Sequence, residues 1–168
     1  LSLLSEQVLK ENKNLYVVKS ISKSYGVPGI RLGILASGNT DMIGRLKKDV
    51  SIWNINSMAE FFMQILDKYK SDYTDSLRKI KEERSRFLNE LCAIKNLKVY
   101  PSQANYFMCE ILDGISSEEL AGRLLKENIL IKDLTGKIHN GKQYIRIAIR
   151  GEEENRILVE KLKVCMKQ

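Results

Sequence analysis

At 168 residues, 43% of them hydrophobic, the chain can bury the core of one ordinary domain, or of a small domain plus part of another. A net charge of +7 and a pI near 9.3 raise a polyanion-binding surface, but the basic residues are interleaved with acids, as in Lys81-Glu82-Glu83-Arg84 and Lys126-Glu127; this describes a solvated helix surface, and no nucleic-acid partner is expected. Cys92, Cys109 and Cys165 are too scattered for a disulfide framework or a metal site and read as small buried hydrophobes of a reducing compartment. No stretch approaches a membrane span or a signal sequence, so a cytoplasmic location is expected.

In chain order, residues 3–11 read as a helix end and 12–14 as a turn. The apolar run Leu15-Tyr16-Val17-Val18 opens a buried strand over 15–21, which delivers the segment Ser20-Ile21-Ser22-Lys23-Ser24-Tyr25-Gly26-Val27-Pro28-Gly29-Ile30-Arg31-Leu32-Gly33. One lysine stands at the strand exit, with two serines before it, a glycine-containing turn after it and an arginine beyond. A lysine amine forms a covalent link with a carbonyl, and pyridoxal 5'-phosphate is the cofactor commonly held that way. A guanidinium grips phosphate bidentately, and hydroxyls and backbone N–H groups fill the remaining oxygens. Taken alone, a lysine among serines and glycines is as readily a solvated turn.

Residues 30–36 read as the neighbouring strand, closed by Ser37-Gly38-Asn39, and Asp41 opens or caps a helix to Lys48. Trp53 reads as core. Asn56 or Ser57 caps an apolar helix over 58–69. Helical spacing of Leu77, Ile80, Arg84, Phe87, Leu88 and Leu91 marks a long helix over 72–94. Strands follow at 97–100 and 104–111, then a helix from a Ser116/Glu119 capping box to about Asn128, and a short strand at 129–131. His139-Asn140-Gly141 is a surface turn, 143–149 a strand, and 152–166 the last helix, with acids first and lysines last as its dipole favours. The tail is therefore expected to be a compact α/β unit on an antiparallel sheet. Within Tyr144-Ile145-Arg146-Ile147-Ala148-Ile149-Arg150, Arg146 sits on a strand otherwise fit for burial. The pattern leaves open an ion pair inside the domain or a head group led to an opening.

The lysine segment resembles that of the fold-type I, class I/II aminotransferases: Ser20, Ser22, Lys23, Gly26, Gly29, Arg31 and Gly33 fall on the pattern Ser-x-Ser-Lys, glycine turn, Arg-x-Gly without a gap. The Trp53-x-Ile55-Asn56-x-x-Ala59 segment and Pro28 are similar to threonine-phosphate decarboxylases more than to histidinol-phosphate aminotransferases. The resemblance implies an α/β fold in which 1–69 ends the large cofactor-binding domain and 70–168 forms the small C-terminal domain, including the long interdomain helix. It implies that Lys23 carries pyridoxal 5'-phosphate and acts as general acid and base, that Ser20, Ser22 and Arg31 hold the cofactor phosphate, and that Arg146 grips the substrate α-carboxylate. Arg150 is a weaker candidate, for a substrate phosphate or plain surface. The family's pyridine-nitrogen aspartate, ring-stacking residue and phosphate loop have no counterpart here, so the chain is expected to be the C-terminal part of a longer, homodimeric enzyme. That enzyme would act on an amino acid, possibly phosphorylated, by transamination or decarboxylation. The alternatives are a domain fused to a sugar nucleotidyltransferase, the effector domain of a transcription regulator, or an interaction module that has lost its cofactor.

Overall fold

The apolar run at Leu15 forms a short strand, β1 (Tyr16–Ser20), that pairs antiparallel with β2 (Gly33–Ser37), from Tyr16 opposite Ser37 to Ser20 opposite Gly33. In this computed structural model, which describes residues 2–166, these strands belong to the first of two compact units, the chain dividing between Tyr73 and Thr74. Before β1 lies helix α1 (Glu6–Glu11), capped by Ser5. A Cβ on Gly38 would run into the Leu9 carbonyl, so only glycine lets β2 end against that helix. Between the strands stand a single helical turn, α2 (Ile21–Ser24), and a 3-10 turn, Pro28–Ile30. Helices α3 (Thr40–Asp49) and α4 (Ser57–Ile65) follow, and then a 3-10 turn, Leu66–Tyr69. The Asn56 side chain caps α4 by accepting from the Ala59 N–H at 2.9 Å, and its amide donates to the Ile30 carbonyl at 2.8 Å.

The second unit is built on helix α5 (Lys70–Cys92), which begins in the first unit, and on the antiparallel strands β3 (Leu97–Tyr100), β4 (Tyr106–Ile111), β5 (Lys132–Asp133) and β6 (Gln143–Ala148), in spatial order β3-β4-β6-β5. Helices α6 (Ser117–Lys126) and α7 (Glu152–Cys165) complete it. Alternation places Phe107, Cys109, Ile111, Ile145 and Ile147 on one sheet face. They share a core with Phe87 and Leu91 of α5, Leu120 and Leu124 of α6, and Leu158 and Leu162 of α7. The buried Asn155 ties the last turn to this core: its amide donates to Glu83 at 2.6 Å and to the Arg150 carbonyl at 3.0 Å, and its oxygen accepts from the Arg150 N–H. Among the described residues, Leu32 and Ala59 are the only buried apolar side chains of the first unit.

Several expectations need correction. Lys23 leaves the strand as expected, in the single turn of α2 that follows Ser20 directly, but the second strand starts at Gly33 because Pro28 and the left-handed Arg31 interrupt extension before it. Asn39, not Asp41, caps α3, its side chain accepting from the Met42 N–H at 3.0 Å. Trp53 is 89% exposed rather than core, and Cys92 is exposed whereas Cys109 is buried. Ser116 does cap α6, but Glu119 turns to Arg123 instead of reaching back, so the capping box is half made. The run at 129–131 is not a strand; the ladder forms at Lys132–Asp133, and Leu130 is 84% exposed. Among the described residues no helix is long and apolar enough to cross a membrane, and no acidic, histidine or cysteine cluster could hold a metal ion.

Candidate functional site

The end of the β1–β2 ladder brings the lysine segment beside the arginine. Past the Ser20–Gly33 pair, the Ser22 N–H donates to the Leu32 carbonyl at 3.1 Å. The Leu32 N–H donates to the Ser22 hydroxyl at 2.7 Å, and that hydroxyl donates to the Leu32 carbonyl at 3.2 Å. Ser22 is 2% exposed, so it works as a clamp holding the residue next to Arg31. Its proton can still turn to another acceptor without orphaning Leu32, whose carbonyl keeps the Ser22 N–H. Ser20 is half-buried, and its side chain makes no cap bond to α2. Arg31 adopts φ 55° and ψ 39°, a left-handed conformation that costs a side-chain-bearing residue about 1–2 kcal/mol. Such outliers persist where the surroundings impose them, and they concentrate at binding sites.

Lys23 and Arg31 are both exposed, and neither side chain has a hydrogen-bond or ion-pair partner among the described residues. No acidic residue occurs between Glu11 and Asp41, so the cations of this stretch are not neutralised by sequence neighbours. An amine, two hydroxyls and a free guanidinium suit the aldehyde and phosphate ends of pyridoxal phosphate. The same stretch offers no carboxylate to its pyridine nitrogen.

Arg146 lies at the centre of β6, on the sheet face opposite the core, in the second unit. It is exposed, and its guanidinium sits over the Tyr106 ring, 5.2 Å from the centroid. No ion pair holds it among the described residues. The buried carboxylate on that face, Glu110, is 5% exposed and already satisfied: Lys142 donates at 2.8 Å, the Tyr100 hydroxyl at 2.5 Å, and the Lys98 amine stands at 3.8 Å. The Lys142 hydrogen bond, with that of Tyr100, holds the Glu110 carboxyl below its ordinary range, and the Tyr100 hydroxyl is pushed up to about 12, chiefly by its bond to Glu110. Arg146 is thus left without an acid of its own.

Directly across from Arg146 stands Lys132, and both line a depression of about 700 Å³ together with Lys137, Asp133 and Ala148. Two cations opposite each other on neighbouring strands are destabilising unless an anion lies between them. Asp133 does not play that part. Burial raises its pKa, but bonds from the Thr135 N–H and hydroxyl outweigh that and hold it low, turning it into the following turn. Lys132 was not legible beforehand, because a two-residue strand has no periodicity and only the register reveals its neighbour. Arg150 pairs with Glu154 at 2.7 Å on the exposed start of α7, as a surface residue does. Asn105 serves through its backbone, accepting from the Ile149 N–H at 2.8 Å, and His139 is exposed.

The sequence matches the model of the family described as aminotransferase class I and II over residues 5–162. The chain belongs to the class I and II aminotransferase family. Within it, the chain is 35% identical over 160 residues to an L-serine phosphate decarboxylase of Campylobacter jejuni, covering 94% of this chain and 41% of that protein. It is 31% identical over 157 residues to the threonine-phosphate decarboxylase of Salmonella typhimurium, covering 92% and 42%. Among solved structures, a decarboxylase from Sulfurospirillum multivorans superposes with a TM-score of 0.85 at 32% identity, over 99% of this chain and 48% of that one. The histidinol-phosphate aminotransferase from Clostridium acetobutylicum gives 0.83 at 32% identity, over 95% and 48%. The chain spans under half the length of each of these proteins.

Proposed function

We propose that this chain is the C-terminal part of a pyridoxal-phosphate enzyme acting on a phosphorylated amino acid, with the first unit ending the large domain and the second forming the small one. The observation that carries the reading is the unpaired Lys23 and Arg31 set around the Ser22–Leu32 clamp in a stretch without acids. When bound, the cofactor supplies an electron sink for the pair left at Cα as a bond there breaks. Lys23 would carry it covalently, and its amine would hold or return the proton at Cα. Arg31 and the Ser20 hydroxyl hold its phosphate. Ser22 keeps Leu32, and with it Arg31, in place, and can turn its own proton to the phosphate. On the second unit, Arg146 takes the substrate carboxylate in a two-pronged pair, backed by the Tyr106 ring. The names of the relatives in Campylobacter and Salmonella favour a phosphorylated substrate and the decarboxylase. The exposure of Ile52 and Trp53, at 91% and 89%, supports burial against another surface, in keeping with a homodimer.

A second reading is favoured by one comparison. A CMP-5'-(3-aminopropyl)phosphonate synthase of Streptomyces rubellomurinus is 35% identical over 153 residues, covering 90% of this chain but 24% of that protein, so the same module also stands in a much longer polypeptide. An aminotransferase-like domain fused to a nucleotidyltransferase is the corresponding alternative. Borohydride reduction of the intact protein, followed by peptide mapping, tests the cofactor assignment. A pyridoxyl group on Lys23 is expected, and its appearance on another lysine removes the assignment.

A further inference from the structure

We propose that Tyr73 is a positioning residue for Lys23, its hydroxyl and ring fixing the single turn that presents the lysine amine. The inference rests on the assignment of Lys23 above. A four-residue helix has no stability of its own, since nucleating a turn costs more than its few bonds return. What holds α2 must come from elsewhere in the unit. On one side of Lys23, Ser22 is locked to Leu32. On the other, the Tyr73 hydroxyl donates to the Ser24 carbonyl at 3.1 Å, satisfying one of the acceptors that a helix end leaves open.

The ring does the rest. Tyr73 stacks on Tyr25 with centroids 4.3 Å apart and planes at 27°, and Phe62 meets the Tyr25 ring edge-on at 5.8 Å. Tyr25 is the C-cap of α2, and its N–H bonds back to the Ile21 carbonyl. The Ser24 hydroxyl is spent on the Ser20 carbonyl at 3.2 Å. Ser22, Ser24 and Tyr25 are thus each tied down while the Lys23 side chain between them stays exposed and unpartnered. Burial, and then the neighbouring Tyr25, push the Tyr73 hydroxyl above its ordinary range, so it remains a donor through neutral pH. A lysine that must reach a carbonyl and then a proton gains from such pre-organisation, because small misplacements at a reacting group are costly.

The test compares Tyr73→Phe, which keeps the ring and loses the hydroxyl, with Tyr73→Leu, which loses both, in the intact protein loaded with pyridoxal phosphate. The readouts are the pH midpoint of the visible band of the Lys23-bound cofactor, cofactor affinity, thermal melting, and kcat and KM. For Tyr73→Phe we expect melting close to the parent, a displaced pH midpoint, and kcat lowered about tenfold with KM held; Tyr73→Leu goes further, toward a hundredfold. If borohydride marks Lys23 in the parent while Tyr73→Phe keeps the parent midpoint and kcat, the positioning role is overturned and the cofactor assignment stands. If borohydride does not mark Lys23 in the parent, the assignment falls and takes this inference with it. Should the Tyr73 variants fail to fold, Phe62→Leu, which removes the other ring packed on Tyr25, gives the same reading: a displaced midpoint supports the role and an unchanged one overturns it.

Discussion

Arg31 and Arg146 are two arginines that the fold leaves without acids, and they are told apart by what their backbones do. Arg31 holds a left-handed conformation that glycine would adopt freely. Arg31→Gly should relieve about 1–2 kcal/mol of local cost, offset by about 0.4–1 kcal/mol of added freedom in the unfolded chain. Stability should therefore equal the parent's or exceed it by up to about 1.6 kcal/mol, by these same figures. Cofactor affinity should fall about tenfold to a hundredfold, the worth of lost charge-assisted bonds. Calorimetry and cofactor titration of the intact protein check both, and unchanged affinity would discount the phosphate role. Arg146 has ordinary strand backbone and an aromatic backing. Arg146→Lys keeps the charge but loses the fork, so folding and cofactor loading should survive while kcat/KM drops by the equivalent of about 2–4 kcal/mol. Near-normal turnover would remove the carboxylate role, and unfolding would restore a structural one. The spacing of Lys23 and Arg31 was readable from residue types. The conformation of Arg31 was not, since non-glycine residues seldom adopt it.

At the level of elements, the sheet face that presents Arg146 is organised by Glu110. This carboxyl lies below its ordinary value of 4.5 because Lys142 and Tyr100 bond to its ionised form. A depressed carboxyl stabilises the fold fully above its unfolded pKa, and that contribution is lost as pH falls through the folded value. Lys142 and Tyr100 are raised by the same contacts; their contributions are present below 10.5 and 10.0 and fade as pH rises through their folded values, about 12 for Tyr100. Glu110→Gln should lower neutral stability and flatten both the acid and the alkaline limbs of a urea-denaturation profile. A profile as steep as the parent's would refute this. The elements themselves were mostly legible: the helical spacing through Phe87 and Leu91, and Asn56 as a cap, are local signals that the fold obeys. The failures share a cause. Lys132 pairs with β6 where the apolar run 129–131 does not, and Trp53 is exposed where aromatics default to core, because both depend on partners distant in sequence.

Over the whole molecule, the two units are unequal in what they bury. The second has a continuous core drawn from three helices and a sheet. The first exposes Val18, Ile52, Trp53, Met58 and Phe61, and among the described residues buries only Leu32 and Ala59 of its apolar side chains. Apolar burial is the main force opposing chain entropy. Opening the first unit should therefore cost far less than opening the second. In native-state hydrogen exchange on this chain, the amides of β1, β2 and α3 should exchange by local unfolding, with protection well below that of β4 and β6, whose amides open only with the core. Equal protection in the two sets would contradict this. The lysine turn would then be held by local bonds within the less protected unit, its amides gaining further protection when another surface, or a cofactor drawing Ser20, Lys23 and Arg31 together, adds the cooperativity that the unit's sparse apolar burial does not supply.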